Sequence, residues 1–472
     1  MLSVGIARTL GMDATTFNNA WHFRRSTCII LIMEITIENS WHKEGGLWQD
    51  VDLERVKASL LRYRPRVIQP AECLSNGILT LRGPRRSGKT VSLKLLVAEL
   101  IEERHCRPDE VYWLNFESLR TIEQANEKLR KLAKINKSRV IFVDEVTSIL
   151  NWQRLMKALK DEGLFRKATF ILTGSSAHDL KKGAERMAGR RGTVENPDRV
   201  LFPMSYTDFL EQLGSLAGTS ANAPVEDFLT VGGFPFRVEA YLRARKQDQE
   251  FDPWSQFQVF DDVFFYEVNR RRLDRNVAIE LLGRLSQVRS NAISTESLAK
   301  PLTFSRETAK RYLDALGDSF LLASIFSYDT SKSRVAPRKN RKFLWIDPAL
   351  ADFAAWLGAG DPAQEADKSE MAVAAQLLRR YERRTWEGLS APRNVFTWKS
   401  SGGNEVDFLV IDRGRKILAP YEVKYQSSVS NWDFQVMERA FGRGTLVSKN
   451  DSRTRPKGQA IPLAEFLQGK SS

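Results

Sequence analysis

The segment Gly83–Thr90, which reads Gly-Pro-Arg-Arg-Ser-Gly-Lys-Thr, has the residue types and the spacing that bind phosphate. It matches G-x-x-x-x-G-K-[ST], a loop whose backbone N–H groups surround phosphate oxygens while its hydroxyl binds Mg²⁺. Lys89 is expected to bridge the β- and γ-phosphates of ATP. The residues predicted to bind nucleotide here are Gly83, Pro84, Arg85, Arg86, Ser87, Gly88, Lys89 and Thr90.

Two adjacent acids, Asp144 and Glu145, close an apolar run that begins at Val140. A buried parallel strand has such a continuous apolar run, and ligands of parallel sheets bind at the carboxyl ends of the strands. We predict that Asp144 shares Mg²⁺ with Thr90 and that Glu145 orients or deprotonates the attacking water. The acid pair favours ATP hydrolysis over a small-molecule kinase or transferase, which needs no water-activating base.

Two further polar groups follow the acid pair. The segment Thr169–Thr173 is typical of a third strand, and Ser175 after it is predicted to contact the γ-phosphate or the water. Thr173 is the alternative, and Ser or Thr at strand ends is also common in ordinary turns. Arg190 is predicted to neutralise transition-state charge, an effect worth roughly a thousandfold or more in rate. An exposed arginine pair such as Arg190-Arg191 can equally be only solvated.

A second set of charged residues lies towards the C-terminus. Asp407 lies in one alternating strand pattern, and Glu422 and Lys424 lie in another. Residues two apart in a strand share a face, so Glu422 and Lys424 project together and Asp407 can join them from a neighbouring strand. Two carboxylates can hold a Mg²⁺ that activates water, and the lysine can polarise the nucleophile. Glu370, which we place at the start of a helix, adds a fourth group to this predicted metal site.

The patterns around these residues predict an α/β chain of several domains. Strands and helices alternate from 33 to 210, which indicates a parallel sheet with helices on both faces. We divide the chain into a P-loop domain at 33–210, a helical lid at 211–275, a winged helix at 276–345 and a C-terminal α/β domain at 346–472.

The predicted winged helix consists of three helices followed by a strand and a wing, and its third helix would read DNA. Arg306, Lys310 and Arg311 point away from the apolar face of that helix and are predicted to bind DNA. Basic clusters flank the unit at 270–272 and 332–342. Winged helices also serve as protein-contact modules, and basic faces are often only solvated.

Composition limits the class of protein. The 472 residues carry a net charge of +14, which suits a polyanionic partner such as DNA. Cys28, Cys73 and Cys106 lack metal-binding spacing, so we expect no zinc site and a reduced, cytoplasmic setting. The apolar run Cys28–Met33 is far shorter than the ~20 residues that span a bilayer, so we expect no membrane segment. We expect 1–32 to be an extension that precedes the natural start at Met33, and self-association is left open.

The chain resembles a prokaryotic family of AAA-type P-loop ATPases that carry a C-terminal domain of uncharacterised function. The similarity extends from about residue 50 to 450 and is carried by GPRRSGKT (83–90), VIFVDEV (140–146), ILTGSS (171–176), GGFP (232–235) and IDPAL (346–350). EVDF (405–408) and YEVKY (421–425) are similar to the strand motifs of PD-(D/E)XK nucleases. This resemblance implies a restriction-endonuclease-like fold with Asp407, Glu422 and Lys424 as its triad and Glu370 as its helical acid. The helical acid is usually followed by Asn, whereas Met371 follows Glu370 here.

These features predict a cytoplasmic, DNA-associated ATPase with a nuclease-like C-terminal domain, and ATP, Mg²⁺ and DNA as its ligands. ATP binding and hydrolysis would move the winged helix relative to the C-terminal domain and control DNA access to Asp407, Glu422 and Lys424. The competing hypothesis is a nucleotide-dependent switch that binds DNA or a protein and cuts nothing. A divalent ion bound between Asp407 and Glu422 would distinguish the two.

Overall fold

A computed structural model describes residues 39–382 and 392–470, apart from 136, 175–179, 181, 182, 184–186, 188, 190, 195, 215–222, 413 and 415. The predictions for 1–32, Ser175 and Arg190 therefore lie outside the described residues. Among the residues that are described, no helix has both the length and the apolar character needed to cross a membrane.

The first part of the chain folds around a five-stranded parallel sheet. The strands lie in the order β2-β3-β4-β1-β5, so β4 separates β1 from β3. β1, β3 and β4 are buried along their whole length, which explains their continuous apolar sequence. The carboxyl ends of β1, β4 and β3 therefore lie side by side. The elements are α1 Val51–Ala58, β1 Ile78–Arg82, α2 Lys89–Glu102, β2 Val111–Asn115, α3 Ile122–Ile135, β3 Val140–Asp144, α4 Trp152–Asp161, β4 Thr169–Thr173 and β5 Asp198–Val200.

A helical region follows the sheet, as the sequence predicts for 211–275. Its aromatic residues form a compact core: the rings of Phe264 and Phe353 stack with centroids 4.1 Å apart, and Phe257 and Phe260 pack against the same ring. This core joins the helical region to a later part of the chain. The helices are α5 Tyr206–Leu213, α6 Ala223–Val231, α7 Pro235–Lys246 and α8 Phe257–Arg270.

The motifs GGFP and IDPAL hold each other in place. The buried carboxylate of Asp347 accepts hydrogen bonds from the backbone N–H groups of Gly233 at 2.7 Å and Ala349 at 3.1 Å. Gly232 has a φ of +73°, and a Cβ added there would lie 2.0 Å from Asp347 Oδ1. Glycine is therefore required where this loop turns into α7.

Three helices and two antiparallel strand pairs come next. Asp274, Ser294 and Ser305 cap the three helices by accepting backbone N–H groups. β6 pairs with β9, and the short pair β7–β8 forms the hairpin between them. The elements are α9 Arg275–Val288, α10 Thr295–Ala299, α11 Arg306–Asp318, β6 Leu322–Phe326, β7 Tyr328–Asp329, β8 Arg334–Val335 and β9 Arg341–Trp345.

The C-terminal part is a six-stranded mixed sheet with helices. Its order is β10-β11-β12-β13-β15-β14, and an isolated bridge between Ser327 and Thr397 links it to the preceding unit. β11 pairs antiparallel with β12, with Phe408 opposite Tyr421. The elements are α12 Phe353–Trp356, α13 Glu365–Tyr381, β10 Val395–Lys399, β11 Glu405–Ile411, β12 Ile417–Lys424, α14 Gln435–Phe441, β13 Gly444–Ser448, β14 Arg453–Arg455, β15 Gly458–Pro462 and α15 Leu463–Leu467.

The prediction that Glu370 opens a helix is wrong. α13 begins at Glu365 after the N-cap Gln364, so Glu370 lies in its second turn. Glu365 and Asp367 occupy the first turn, where carboxylates complement the positive end of the helix dipole. The acids that mark the start of the helix precede Glu370, which instead faces inward.

Candidate functional site

The predicted phosphate loop is curled around its own lysine. Lys89 is 8% exposed, and its Nζ donates hydrogen bonds to the carbonyl oxygens of Gly83 at 3.0 Å and Pro84 at 2.8 Å. Gly83 and Gly88 have φ values of +148° and +90°. A Cβ on Gly83 would lie 2.1 Å from the carbonyl oxygen of Leu201, so only glycine allows this close approach.

Burial lowers the pKa of Lys89 to about 8, although the nearby carboxylates of Glu145 and Asp144 oppose the shift. A buried ammonium of this kind is stabilised when an anion comes into contact with it. The backbone N–H groups at the start of α2 point towards the same place. The loop therefore has the chemistry to bind a phosphate group.

Asp144 is held from two sides by threonine hydroxyls. Thr90 Oγ1 donates to Asp144 Oδ2 at 2.9 Å, and Thr173 Oγ1 donates to Asp144 Oδ1 at 2.8 Å. Burial raises the pKa of Asp144, and the hydrogen bond from Thr173 works against that rise. A carboxylate and a hydroxyl side by side are oxygen ligands of the kind that Mg²⁺ takes together with nucleotide phosphates. Asp144 and Thr90, both predicted metal ligands, are thus in direct contact.

Glu145 follows Asp144 in a left-handed conformation, with a φ of +52°. Its backbone N–H donates to Asp144 Oδ1 at 3.2 Å, and its side chain is half-buried. Non-glycine residues hold this conformation at a cost of about 1–3 kcal/mol, and they cluster at functional sites. Ser175 and Arg190 lie outside the described residues, whereas Thr173, the alternative to Ser175, lies within the site.

The helical region also touches the phosphate loop, which the sequence did not indicate. The guanidinium carbon of Arg85 lies 3.4 Å from the centre of the Tyr266 ring on α8. Pro235, the first residue of α7, would lie 3.6 Å from a Cβ on Gly88. The loop thus contacts α8 and lies next to the start of α7, and no local sequence pattern identifies Tyr266 or Pro235 as its neighbours.

The charged residues predicted for the C-terminal site do lie together. Lys424 Nζ is 3.2 Å from Glu422 Oε1, as expected for residues two apart on β12. The backbone N–H of Asp407 donates to Glu422 Oε2 at 3.3 Å, and Asp407 Oδ2 accepts from the N–H of Val423 at 2.8 Å. The pairing of β11 with β12 produces this arrangement.

An unpredicted residue, Lys342, lies at the centre of that site. Its Nζ is 2.5 Å from Glu370 Oε1 and 2.5 Å from Asp407 Oδ1, and the residue is 4% exposed. Lys342 is the last residue of the basic cluster predicted at 332–342, but its side chain is buried between carboxylates rather than available to DNA. Residues two apart in a strand share a face, and Leu344 on β9 is fully buried. The apolar run Phe343–Trp345, buried on both faces of β9, was the sequence signal for the burial of Lys342.

Three carboxylates and two ammonium groups make up this acidic cluster, which we define as Glu370, Asp407, Glu422, Lys342 and Lys424. Burial alone would lower the pKa of Lys342, but Asp407 and Glu370 outweigh it and raise the pKa. Burial raises the pKa of Glu370 to about 8 and that of Glu422 to about 7. Burial thus favours the neutral form of both carboxyls relative to exposed ones.

Within the described part of the chain, no three His, Cys, Asp or Glu residues are grouped in a way that could hold a metal ion. At the acidic cluster, the ammonium of Lys342 lies between the carboxylates of Glu370 and Asp407, where a metal ion shared by these two groups would have to lie. The metal site predicted at Glu370, Asp407 and Glu422 is therefore not formed in this arrangement.

The three residues predicted to bind DNA are exposed on α11. Arg306, Lys310 and Arg311 face solvent, where Lys310 forms an ion pair with Asp314 at 2.8 Å. The flanking basic cluster at 270–272 is partly engaged in an ion pair within the protein. Arg271 Nη2 lies 2.8 Å from Asp318 Oδ2, so this guanidinium ties α8 to α11.

Three family models match the chain. Residues 75–210 match one described as an AAA domain, 222–362 match a domain of unknown function (DUF8612) and 368–466 match another (DUF4143). The second match spans most of the predicted lid and all of the predicted winged helix. The parallel sheet and its phosphate loop therefore form a P-loop domain of the AAA type.

Two uncharacterized proteins are similar to the chain in sequence. An uncharacterized protein of Methanocaldococcus jannaschii is 28% identical over 324 residues, which cover 64% of this chain and 68% of that protein. An uncharacterized protein of Haemophilus influenzae is 23% identical over 318 residues, covering 64% of this chain and 74% of that protein.

Among solved structures, the ORC2 protein of Aeropyrum pernix in its ADP form overlaps with a TM-score of 0.33 at 12% identity, over 66% of this chain and 97% of that one. A RuvB variant of Thermotoga maritima overlaps with a TM-score of 0.31 at 16% identity, over 62% of this chain and 91% of that one. Overlaps of this size carry no argument about function, so the assignment rests on the family match and on the site geometry.

Proposed function

We propose that this protein, whose residues 75–210 form an AAA-type domain, binds and hydrolyses ATP with Mg²⁺ and uses the nucleotide cycle to control its association with DNA. One observation carries the proposal: the Asp144 carboxylate accepts the hydroxyls of Thr90 and Thr173 beside the buried Lys89. A carboxylate, a hydroxyl and an ammonium at the mouth of a glycine-rich loop are the groups that MgATP requires.

Each group has a distinct role in this proposal. The loop N–H groups and Lys89 bind the β- and γ-phosphates, and Thr90 and Asp144 would hold Mg²⁺, which neutralises charge on those phosphates. Glu145 orients or deprotonates the attacking water, with Ser175 or Thr173 contacting the water or the γ-phosphate. Arg190 neutralises the charge that develops in the transition state. Whether Ser175 or Thr173 contacts the water, the Thr173 hydroxyl also fixes the orientation of the Asp144 carboxylate.

The test compares two substitutions that separate binding from hydrolysis. Lys89→Ala is expected to abolish both ATP binding and turnover, whereas Glu145→Gln should bind ATP normally and hydrolyse it at least about 100-fold more slowly. Lys134→Ala on α3, an exposed lysine of the same domain, is the matched control and should behave like wild type. Turnover at the wild-type rate in Lys89→Ala would refute the site.

DNA association rests on the net charge of +14 and on the exposed basic face of α11. ATP binding at the loop can reach that face, because Arg85 of the loop contacts Tyr266 of α8, and Arg271, the residue that follows α8, pairs with Asp318 of α11. A shift of α8 would therefore move α11. We propose this contact as the route by which nucleotide state alters DNA binding.

The second candidate function is a metal-dependent nuclease. The convergence of Asp407, Glu422, Lys424 and Glu370 favours it, since these are the groups that such chemistry uses. Against it, the Lys342 ammonium lies between two of the carboxylates, so in this conformation a switch without cleavage is better supported. Plasmid integrity with Mg²⁺ or Mn²⁺, with and without ATP, decides between them. Cleavage that is lost in Asp407→Ala would establish the nuclease, and intact plasmid under every condition would leave the switch as the better-supported function.

A further inference from the structure

We propose that Lys342 is a built-in cation that closes a latent divalent-cation site formed by Glu370, Asp407 and Glu422. The inference builds on the second candidate function proposed above and adds a means of regulation to it. A metal ion and the Lys342 ammonium are alternative occupants of the same carboxylate oxygens, and strand β9 determines which of them is present.

The geometry makes the two cations mutually exclusive. The ammonium lies 2.5 Å from both Glu370 Oε1 and Asp407 Oδ1. Divalent cations bind carboxylate oxygens at about 2.0–2.6 Å, so a metal shared by these two oxygens would need the volume that the ammonium fills. Lysine suits this role because its compact charge lies at the end of a long, flexible stem.

The site is more than a group of acids, because a buried cation is already bound in it. The carboxylates come from three elements, α13, β11 and β12, whereas the cation comes from a fourth, β9. Lys342 belongs to the stretch that matches one family model, at 222–362, and the carboxylates belong to the stretch that matches another, at 368–466. The contact thus joins two segments of the chain that match different family models.

Charge balance predicts the effect of withdrawing the ammonium. With Lys342 in place, three carboxylates face two ammonium groups. Without it, three largely buried carboxylates face Lys424 alone, and buried charges left without a partner are strongly destabilising. The carboxylates must then take up protons or another cation, and a divalent ion together with Lys424 balances their charge completely. Removal of the lysine should therefore create a metal site rather than merely weaken the fold.

The position of β9 provides a route for opening the site. β9 follows the β7–β8 hairpin, and both Arg334 on β8 and Lys339 between β8 and β9 are exposed to solvent. A polyanion that binds the hairpin acts on the strand that carries Lys342. Displacement of β9 by a few ångströms would withdraw the ammonium and leave the three carboxylates to a metal ion.

The test measures Mn²⁺ binding by electron paramagnetic resonance, without nucleotide, in full-length wild type, Lys342→Met and Lys342→Met/Asp407→Asn. Methionine keeps an unbranched apolar side chain that ends one atom short of the ammonium, and it removes the charge. We expect Lys342→Met to bind about one Mn²⁺ per chain more than wild type, and the double variant to lose it. Mn²⁺ should also raise the melting temperature of Lys342→Met and leave that of wild type unchanged.

ATP affinity measured on the same samples separates this proposal from the nucleotide site. A Lys342→Met protein that binds ATP like wild type but takes up no additional Mn²⁺ overturns the proposal and leaves the ATPase assignment intact. Lys342→Gln is made in parallel, and either folded variant is decisive. If neither folds, wild type is compared with Asp407→Asn in the presence and absence of duplex DNA. Mn²⁺ uptake that depends on both Asp407 and DNA supports the proposal, and Asp407-dependent uptake without DNA, or no such uptake under either condition, overturns it.

Discussion

The Thr173 hydroxyl donates a hydrogen bond to Asp144 Oδ1 over 2.8 Å, linking the carboxyl ends of β4 and β3. Because β4 lies between β1 and β3, its last residue stands between the phosphate loop and the acid pair. Thr90 occupies the other carboxylate oxygen, so Asp144 is oriented from both sides. The sheet order, rather than any local motif, places Thr173 there.

Thr173→Val should lower ATP hydrolysis and the apparent Mg²⁺ affinity by about 10- to 100-fold, which is the usual effect of removing a partner that orients a metal ligand. Valine keeps the shape of the side chain and removes only the hydroxyl. Thr173→Ser retains the hydroxyl and should remain close to wild type. The measurement is steady-state hydrolysis as a function of Mg²⁺ concentration, and equal rates for the valine and serine variants would contradict the assigned role.

Arg85 and Tyr266 should show energetic coupling, because the guanidinium carbon lies 3.4 Å from the ring centre. A double-mutant cycle with Arg85→Ala and Tyr266→Leu is expected to give a coupling of about 0.5–2 kcal/mol in the free energy of unfolding. Arg86 and Asp262 form the matched control, since they are 3.9 Å apart and mostly exposed and should show no measurable coupling. Coupling no larger than that of the control pair would show that this contact does not fasten α8 to the loop.

The acidic cluster should make the protein less stable as pH rises from about 5 to about 7. Burial raises the pKa of Glu422 from its ordinary value of 4.5 to about 7, so the folded protein binds this proton more tightly than the unfolded chain. The resulting stabilisation is complete below the unfolded pKa and is lost as pH rises through the folded pKa, by at most about 1.4 kcal/mol per pH unit for each proton.

Glu422→Gln removes that titration, so its unfolding free energy should fall less than that of wild type over this pH range. Urea denaturation at pH 5, 6 and 7 measures the difference. Glu405→Gln, on the neighbouring strand β11 and partly exposed, is the control and should keep the wild-type dependence on pH. Parallel curves for wild type and Glu422→Gln would mean that the carboxyl does not hold its proton in the folded protein.

Arg306→Ala/Lys310→Ala/Arg311→Ala should weaken binding to duplex DNA of any sequence. Each lost phosphate contact reduces the slope of log K against log salt by about 0.9, so the triple variant should lose about 2–3 from its slope. Fluorescence anisotropy at several salt concentrations measures it. Lys131→Ala/Lys134→Ala on α3 removes two positive charges elsewhere and serves as the control. A triple variant with the wild-type slope would exclude α11 from the DNA interface.

Local patterns were sufficient for the phosphate loop and for the buried strands β3 and β4. Gly83–Thr90 and the run that ends at Asp144 are short contiguous segments whose chemistry depends on residues next to each other in the chain. The Ser305 cap and the two-residue spacing of Glu422 and Lys424 are equally local and could be predicted for the same reason. The sequence pattern does not distinguish Glu370 from the first-turn acids Glu365 and Asp367, so it misplaces the start of α13.

Contacts between distant segments could not be predicted in this way. Alternation along β9 shows that Lys342 shares a face with Leu344, but it does not show which neighbouring element that face meets. Lys342 and Asp407 lie 65 positions apart, and only the packing of β9 against α13 and β11 brings their charges to 2.5 Å. The same physical reason applies to Tyr266 beside Arg85. Periodicity and motif spacing specify the elements and their faces, whereas the choice of partner for each face is made by the tertiary fold.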